Sequence, residues 1–335
     1  MKLTVIIPVF NTEEYLPACL ASISAQTARG EMKLILVDDG STDGSGKLCD
    51  DFAASDPDTR VLHTENGGVS RARNAALELV DTPYFGFCDS DDTLEPDYYE
   101  RLLTAAEKVG ADIAFCGMTF DRGEEKRPRP AFFPEGEIIT GSDVGLSFAK
   151  KMLTDGSQNS TVNKVFKKRF IDAGIRFPEG IKIGEDKRFV LDCLSVADTL
   201  VCAGGCGYYY RDVQTSAMHS GSKMQKLLET YEDEINAFAR LGLDESEVRE
   251  GKSVFLFTEL TDFLERAFLL SPSDAKREVK NSLADERLMS CVEPGLDRVM
   301  RENGRVYTTI AKGMKKRSAA LIMLGLRAMA LINRE

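Results

Sequence analysis

The chain has 335 residues, of which 43% are hydrophobic and 29% are charged, and its formal net charge is −11 at pH 7. This composition is typical of a globular protein and excludes a disordered one, and the length allows a catalytic domain of about 200–250 residues plus an appended region. The acidic balance argues against a nucleic-acid partner, because binding a polyanion needs a concentrated basic face.

The first 116 residues alternate between apolar strand-like runs and segments with helical periodicity. The expected strands are 3–10, 33–37, 60–63, 84–88 and 113–116, and the expected helices are 12–26, 45–54, 70–80 and 96–109. Thr12 is the expected N-cap of the first helix, with two glutamates in the turn that follows. Such alternation predicts the α/β class, with a mostly parallel sheet flanked by helices.

The rest of the chain predicts a change of architecture. Residues 121–134 are rich in charge and proline and are expected to form an exposed loop, whereas residues 141–211 have a mixed pattern. After about residue 220 the pattern becomes helical. The candidate helices there are 226–240, 254–270 and 273–291. The expected organisation is a catalytic domain over residues 1–220, followed by an α-helical C-terminal region over residues 221–335.

Polar residues follow three of the predicted strands, at the point where each strand ends. Asn11 follows the first, the pair Asp38-Asp39 ends the second, and the acidic segment 89–92 follows a later one. In open α/β sheets, ligands bind outside the carboxyl ends of the strands. The coincidence predicts a ligand site at this edge of the sheet.

The segment Asp89-Ser90-Asp91-Asp92 carries the densest charge at this edge. Three carboxylates within four residues repel one another unless a cation neutralises them. Hard oxygen ligands favour Mg²⁺ or Mn²⁺, and either ion can bridge a diphosphate. A solvated turn that caps a helix is the alternative interpretation of the same residues.

Other acids and one arginine are candidates on weaker grounds. At the end of the second strand, a carboxylate of the pair Asp38-Asp39 could accept a hydrogen bond from a nucleobase or a ribose, although the segment alone is a common turn sequence. Arg73 is expected in the first turn of a helix, where a cation opposes the dipole, so it indicates a bound anion or carboxylate as readily as a plain surface arginine. The pair Glu185-Asp186 begins a helical run. Acids at this position either interact favourably with the helix dipole or serve as a general base, and the spacing leaves both interpretations open.

Six motifs occur in one order along the chain: TVIIPVFNTEEYL (4–16), VDDGSTDGS (37–45), ENGGVSRARN (65–74), DSDD (89–92), NKVF (163–166) and GEDKRF (184–189). Together they resemble the family 2 glycosyltransferases with the GT-A fold, over about residues 1–220. Each motif alone is weak, and their shared order makes the resemblance specific. It implies an inverting enzyme of bacterial polysaccharide or cell-wall synthesis that uses Mn²⁺ or Mg²⁺.

The resemblance also implies roles for individual residues. The implied nucleotide-sugar-binding residues are Pro8, Phe10, Asp39, Asn66, Arg73, Asp89, Ser90 and Asp92. The implied metal ligands are Asp91, Asp89 and His219. The implied catalytic residues are Asp186 as the base, Glu185 as its alternative, and Arg211 for the leaving diphosphate. Phe10 departs from the family pattern, because most relatives carry tyrosine there and a hydroxyl is lost.

In the implied chemistry, a carboxylate takes the proton of an acceptor hydroxyl while a nucleotide diphosphate leaves, and direct displacement inverts the anomeric centre. The expected donor is a nucleotide-diphosphate sugar, with uracil as the usual base of the family, and the acceptor is a glycan or a lipid-linked glycan. A non-catalytic sugar-nucleotide or glycan-binding protein on the same scaffold is the alternative. A nucleotidyltransferase would need a basic, glycine-rich triphosphate loop, which the sequence lacks.

Three features of the sequence bear on where in the cell the protein is expected: its cysteines and the two ends of the chain. The eight cysteines have no repeating spacing and residues 3–10 do not look like a signal peptide, so we expect reduced thiols in a cytoplasmic protein. Residues 312–317 include four basic side chains, and the apolar stretch that follows is too short to span a bilayer. This segment predicts either peripheral contact with the inner face of the plasma membrane or, as we prefer, a helix that packs on its own domain or a second subunit.

Overall fold

The computed structural model describes residues 1–123, 125–141, 143–154, 158–181, 183–211 and 223–332. The chain divides into two compact units, Met1–His219 and Ser220–Glu335. The strands of the first unit are β1 Leu3–Val9, β2 Met32–Asp38, β3 Thr59–His63, β4 Tyr84–Phe87, β5 Thr93–Leu94, β6 Ile113–Phe115, β7 Met118–Asp121, β8 Lys126–Arg129, β9 Ile138–Thr140, β10 Lys164–Lys167, β11 Thr199–Cys202 and β12 Tyr208–Arg211. Its helices are α1 Leu16–Ser24, α2 Ser45–Ser55, α3 Val69–Leu77, α4 Tyr98–Val109, α5 Val144–Thr154, α6 Arg169–Asp172 and α7 Glu185–Leu194, with a 3₁₀ turn at Arg29–Glu31.

The main sheet has eight strands in the order β3-β2-β1-β4-β10-β6-β11-β9. The first four strands are parallel, as their apolar runs predict, and β11 is parallel to β6. β10 runs antiparallel to both β4 and β6, so the sheet is mixed. Since Lys164 pairs with Phe115 at the end of β6, the segment before β10 arrives at the edge where the parallel strands end.

A second sheet has the order β5-β12-β7-β8. Its edge strand β8 lies within residues 121–134, so the prediction of a plain exposed loop there was wrong. All four residues of β8 are exposed, and an edge strand tolerates the charges and the proline that suggested a loop. Phe132 and Phe133 follow it and pack around Phe148, with ring centroids 4.9 and 5.9 Å away.

The first helix starts later than the sequence indicated. α1 begins at Leu16, and Tyr15 is its N-cap without a side-chain hydrogen bond. Thr12 does not cap it, because its hydroxyl donates to Ser90 Oγ at 3.0 Å and its backbone N–H donates to Ser45 Oγ at 2.9 Å. A tertiary partner therefore takes the hydroxyl that a local cap would have used.

The second unit is helical throughout the part that the structure describes. Its helices are α8 Lys223–Glu229, α9 Tyr231–Arg240, α10 Glu245–Leu270, α11 Pro272–Ala284, α12 Glu286–Val292, α13 Leu296–Glu302, α14 Arg305–Lys315 and α15 Ala319–Ile332, with a 3₁₀ turn at Glu293–Gly295. α10 starts nine residues before the predicted 254, because Asp244 caps it by accepting from the N–H groups of Ser246 and Glu247. Among the described helices, none is long and apolar enough to cross a membrane.

The C-terminal helix α15 packs on its own unit. Ile322, Leu326 and Met329 are buried on one of its faces. A Cβ added to Gly325 would lie 2.4 Å from Ile310 Cγ1, so the two last helices approach as closely as glycine permits. The buried face of α15 therefore packs on its own unit, as the preferred interpretation of this segment predicts.

Candidate active site

Arg73 lies among the acids that the sequence singled out. α3 carries it, and its side chain is only 3% exposed. Nη2 donates to Asp89 Oδ1 at 2.9 Å and Nη1 donates to Asp186 Oδ1 at 2.6 Å, while Glu185 Oε1 lies 3.6 Å from Nη1. One guanidinium thus joins the acidic segment after β4 to the acids that begin α7.

Aromatic rings and acids surround this guanidinium, and the acids keep it charged. Its central carbon lies 5.1 Å from the ring centroid of Phe177 and 5.8 Å from that of Phe87. Burial by itself lowers the pKa of Arg73, but Asp186 and the other two acids more than offset burial and raise it. Among the described residues Nε has no hydrogen-bond partner, so one buried donor remains for a ligand or water.

The three acids of the segment 89–92 have different surroundings. Burial raises the pKa of Asp89, although the positive charge of Arg73 works against this shift. Burial and the negative charge of Asp89 raise the pKa of Asp91 to about 6. Asp92 is 1% exposed, and its carboxyl accepts from Tyr208 Oη at 2.6 Å and from the Arg211 N–H at 2.7 Å. In this arrangement Asp92 holds the end of β12, and its predicted contact with the donor sugar stays a prediction.

The donor set near Asp91 fits a hard divalent cation. No other side chain among the described residues hydrogen-bonds the Asp91 carboxylate, and burial makes its charge costly without a cation. Asp89 Oδ2 is likewise not used by Arg73. Within the described ranges no group of three or more His, Cys, Asp or Glu residues is arranged to hold a metal, and the predicted third ligand, His219, lies outside them. Two carboxylates would leave the remaining positions to phosphate oxygens or water, as is usual for Mg²⁺.

The two acids of α7 are also distinct. Burial, reinforced by Asp186, raises the pKa of Glu185 to about 7. Asp186 has a partner on each oxygen: Arg73 on Oδ1, and on Oδ2 both the Ser160 hydroxyl at 3.2 Å and the Thr161 N–H at 3.4 Å. Asp186 is therefore the more firmly oriented of the two acids.

Asp39 joins two loops at the ends of β2 and β3. Asp39 is 3% exposed, and its carboxylate accepts from the N–H groups of Gly67 at 2.9 Å and Gly68 at 2.8 Å. Gly40 has a φ of +72°, and a Cβ there would lie 2.8 Å from the Asn66 nitrogen. Asp39 therefore fixes the loop that presents Asn66, which is itself exposed.

The other predicted residues line the same edge of the first unit. Phe10 follows β1 and is 46% exposed, whereas Pro8 within β1 is half-buried. Ser90 is buried and accepts from the Thr12 hydroxyl. Arg211 ends β12, and its guanidinium carbon lies 5.1 Å from the ring centroid of Tyr15.

Sequence reasoning missed several residues that shape the site. Tyr208 links two acids, because its hydroxyl accepts from the Asp89 N–H at 3.1 Å and donates to Asp92. Ser160 reaches Asp186, and Lys164 supports the turn that carries Ser160. The features of the sequence that mark these residues are the tyrosine run at 208–210 and the NKVF motif at 163–166.

Residues 4–168 match the sequence model of the family described as "Glycosyl transferase family 2". The uncharacterized glycosyltransferase EpsJ of Bacillus subtilis is 26% identical over 300 residues, which cover 86% of this chain and 85% of EpsJ. The teichoic acid poly(glycerol phosphate) polymerase of Staphylococcus epidermidis is 34% identical over 218 residues, which cover 63% of this chain but only 28% of that protein. The chain thus spans most of some relatives and a minor part of others.

Solved structures show the same fold. The crystal structure of S. aureus TarS 1–349 in complex with UDP-GlcNAc has a TM-score of 0.61 at 19% identity, covering 99% of this chain and 92% of that one. A mannosyltransferase from Pyrobaculum calidifontis in complex with GDP-Man and Mn²⁺ has a TM-score of 0.52 at 14% identity, covering 100% and 88%. The fold and the comparisons define a glycosyltransferase of the GT-A type. Residues 4–168 belong to glycosyl transferase family 2.

Proposed function

We propose that this glycosyltransferase transfers a sugar from a nucleotide-diphosphate donor, a UDP-sugar, to a hydroxyl of a glycan or lipid-linked acceptor, with inversion at the anomeric carbon. The observation that carries the proposal is the Arg73 bridge, which brings the acidic segment 89–92 and the acids of α7 to one edge of the sheet. A donor site and a base must lie side by side for direct displacement.

The relatives support a role in cell-surface polysaccharide synthesis. They include the teichoic acid polymerase and the poly(ribitol-phosphate) beta-glucosyltransferase of Bacillus spizizenii, which is 29% identical over 215 residues. The TarS structure was solved with UDP-GlcNAc, which supports uracil as the base. We place the enzyme in the cytoplasm, where nucleotide sugars are made, with its acceptor at the inner face of the membrane.

The donor half of the site is assigned to the strand ends. Phe10, with nearly half of its surface exposed, offers a ring for base stacking, and Asn66 and Asp39 lie at the neighbouring loop. Asp91 and Asp89 would hold Mn²⁺ or Mg²⁺, with His219 as the predicted third ligand. The cation would stabilise the charge that develops on the leaving diphosphate. Arg211 adds a fixed positive charge to the same end of the site.

The acceptor half of the site centres on Asp186. Its carboxylate takes the proton of the acceptor hydroxyl as that oxygen bonds to the anomeric carbon, and the bond from this carbon to the diphosphate oxygen breaks. Arg73 and the turn at Ser160 orient the carboxylate, which favours Asp186 over Glu185. Glu185 remains the alternative base, because a pKa of about 7 suits proton transfer at neutral pH.

A nucleotide-sugar screen tests the proposal. The full chain is heated with Mn²⁺ and each of a set of UDP- and GDP-sugars, and donors that raise the melting temperature are assayed for nucleotide release. A donor at 100 times its Kd should stabilise the protein by about 2.7 kcal/mol. Binding without turnover of any donor would support a non-catalytic binding protein, and binding of GDP-sugars alone would contradict the assignment of uracil.

A further inference from the structure

Lys164 is a fully buried lysine at the start of β10. Its ammonium donates to the carbonyl oxygen of Gln158 at 2.9 Å, to that of Ser160 at 2.7 Å and to Asn163 Oδ1 at 2.7 Å. An ammonium carries three N–H donors, so all three are spent on one turn, residues 158–163.

Among the described residues, the Lys164 ammonium has no ion-pair partner. Asp186 is the carboxylate close enough to favour its charged form. Burial lowers the pKa of Lys164 to about 7, which shows how unfavourable the site is for an ammonium. An apolar side chain of the same length would avoid that cost but would leave the three oxygens without a donor.

The turn that Lys164 holds is in direct contact with the proposed base. The Ser160 hydroxyl and the Thr161 N–H both donate to Asp186 Oδ2, while Arg73 occupies Oδ1. The Asp186 carboxylate is thus hydrogen-bonded on both of its oxygens. One oxygen is bound by Arg73 of α3, and the other by a turn whose shape depends on the Lys164 ammonium.

We propose that Lys164 is a positioning residue for glycosyl transfer: it fixes the turn 158–163 so that Ser160 and Thr161 orient Asp186 toward the acceptor hydroxyl. The inference rests on the proposed role of Asp186 as the base. Lys164 touches no group assigned to the donor, so its loss should act on the acceptor step alone.

The primary test replaces the ammonium by an apolar group of similar length, Lys164→Met. We expect kcat for transfer to fall on the order of 10²-fold, as for a misplaced catalytic group, while the donor KM and the donor-induced rise in melting temperature stay unchanged. Lys167→Met is the matched control on the same strand: it removes an ammonium 3.5 Å from Asp112 and should leave kcat at the wild-type level. A donor KM that rises as much as kcat falls would overturn the positioning role.

A second pair of variants decides the question even if Lys164→Met does not fold. Ser160→Ala removes the hydroxyl that reaches Asp186 and should lower kcat several-fold, and Ser160→Thr, which keeps a hydroxyl, should restore most of it. Wild-type kcat in Ser160→Ala overturns the inference. Asp186→Asn is measured alongside, so that the proposed base and the proposed role of Lys164 can be tested separately. An active Asp186→Asn would show that Asp186 is not the base. An inactive Asp186→Asn together with a fully active Ser160→Ala would contradict only the role of Lys164.

Discussion

The Asp91 carboxylate is partly buried and lies near Asp89, and burial is the main reason that its pKa rises to about 6. A divalent cation with the donor diphosphate would remove that electrostatic cost. We therefore expect Asp91→Asn to lower kcat/KM on the order of 10²-fold or more, and EDTA to abolish nucleotide release by the wild type. The measurement is donor turnover with and without Mn²⁺.

Asp97→Asn is the control for this prediction, since Asp97 is a nearby acid that pairs with Arg101 at 3.4 Å and has no assigned role. It should turn over donor at the wild-type rate. Full activity of Asp91→Asn, or of the wild type in EDTA, would eliminate the metal role.

Asp186 and Glu185 are adjacent acids with different predicted effects. Asp186→Asn should lower transfer by about 10²–10⁴-fold, because a base contributes by that order, while donor binding stays nearly intact. Glu185→Gln removes the neighbouring carboxyl group beside Arg73 and should cost much less, which makes it the matched control. Steady-state transfer and donor thermal shifts are measured for both. The opposite order of activities would make Glu185 the base.

At the scale of elements, the close approach of two loops depends on Gly40. An alanine there would need the left-handed φ of +72° and would place its Cβ 2.8 Å from the Asn66 nitrogen. We expect Gly40→Ala to destabilise the protein by about 1–3 kcal/mol and to weaken donor binding, because Asp39 and Asn66 would be displaced. Urea unfolding and donor thermal shifts measure the two effects.

Gly110→Ala provides the control for this substitution. Gly110 ends α4 with a φ of +65°, and a Cβ there would have no atom within 4 Å. It should therefore cost about 1 kcal/mol through backbone strain alone and leave donor affinity unchanged. Equal donor affinity in the two variants would show that the loop contact at Gly40 does not shape the donor site.

Membrane contact, the second interpretation of the C-terminal segment, would use the outer side of α15. Leu324, Leu331 and Ile332 are 59–62% exposed there, which leaves an apolar edge that the inner packing does not use. Part of the basic cluster is already paired, because Lys315 lies 2.6 Å from Asp297 and Arg317 pairs with two glutamates. We expect contact with anionic vesicles to be weak, since each cation contributes only on the order of 1 kcal/mol.

Flotation with vesicles rich in phosphatidylglycerol measures this contact. Weak contact would float only a fraction of the wild type, and Leu324→Glu with Leu331→Glu should reduce that fraction. Leu270→Glu, which changes a leucine that is 89% exposed on α10, should float like the wild type. If the wild type stays at the bottom of the gradient, the apolar edge of α15 does not bind membranes.

At the scale of the whole molecule, the burial of the cysteines predicts how many thiols react in the native protein. All eight are free thiols, and seven of them are buried while Cys206 is half-buried. Burial also raises the pKa of Cys49 and of Cys116 to about 12, so these remain unreactive thiols. A thiol reagent such as DTNB should label one cysteine quickly in the native protein and all eight in denaturant. Fewer than eight under denaturing, non-reducing conditions would reveal a disulfide and contradict the expectation of reduced thiols.

The sequence by itself determined the parts of this protein that depend on near neighbours in the chain. Apolar runs and helical periodicity predicted the α/β class, the strands that end on acids and the helical C-terminal region, because these patterns depend on residues close together in the sequence. The order of weak motifs identified the family, which the comparisons confirm. Local patterns erred where a distant partner intervened: Thr12 donates to Ser90 instead of capping α1, and an edge strand formed from charged residues and proline.

Only the tertiary structure decided how the acids are arranged. Arg73 reaches Asp89 across 16 residues and Asp186 across 113, and nothing local to α3 specifies either partner. β10 inserts antiparallel between β4 and β6, which brings the turn held by Lys164, and with it the Ser160 contact to Asp186, to the edge where the parallel strands end. Strand order is set by burial of the whole sheet and not by any single segment, so the linkage of base, arginine and acidic segment emerges only in the folded chain.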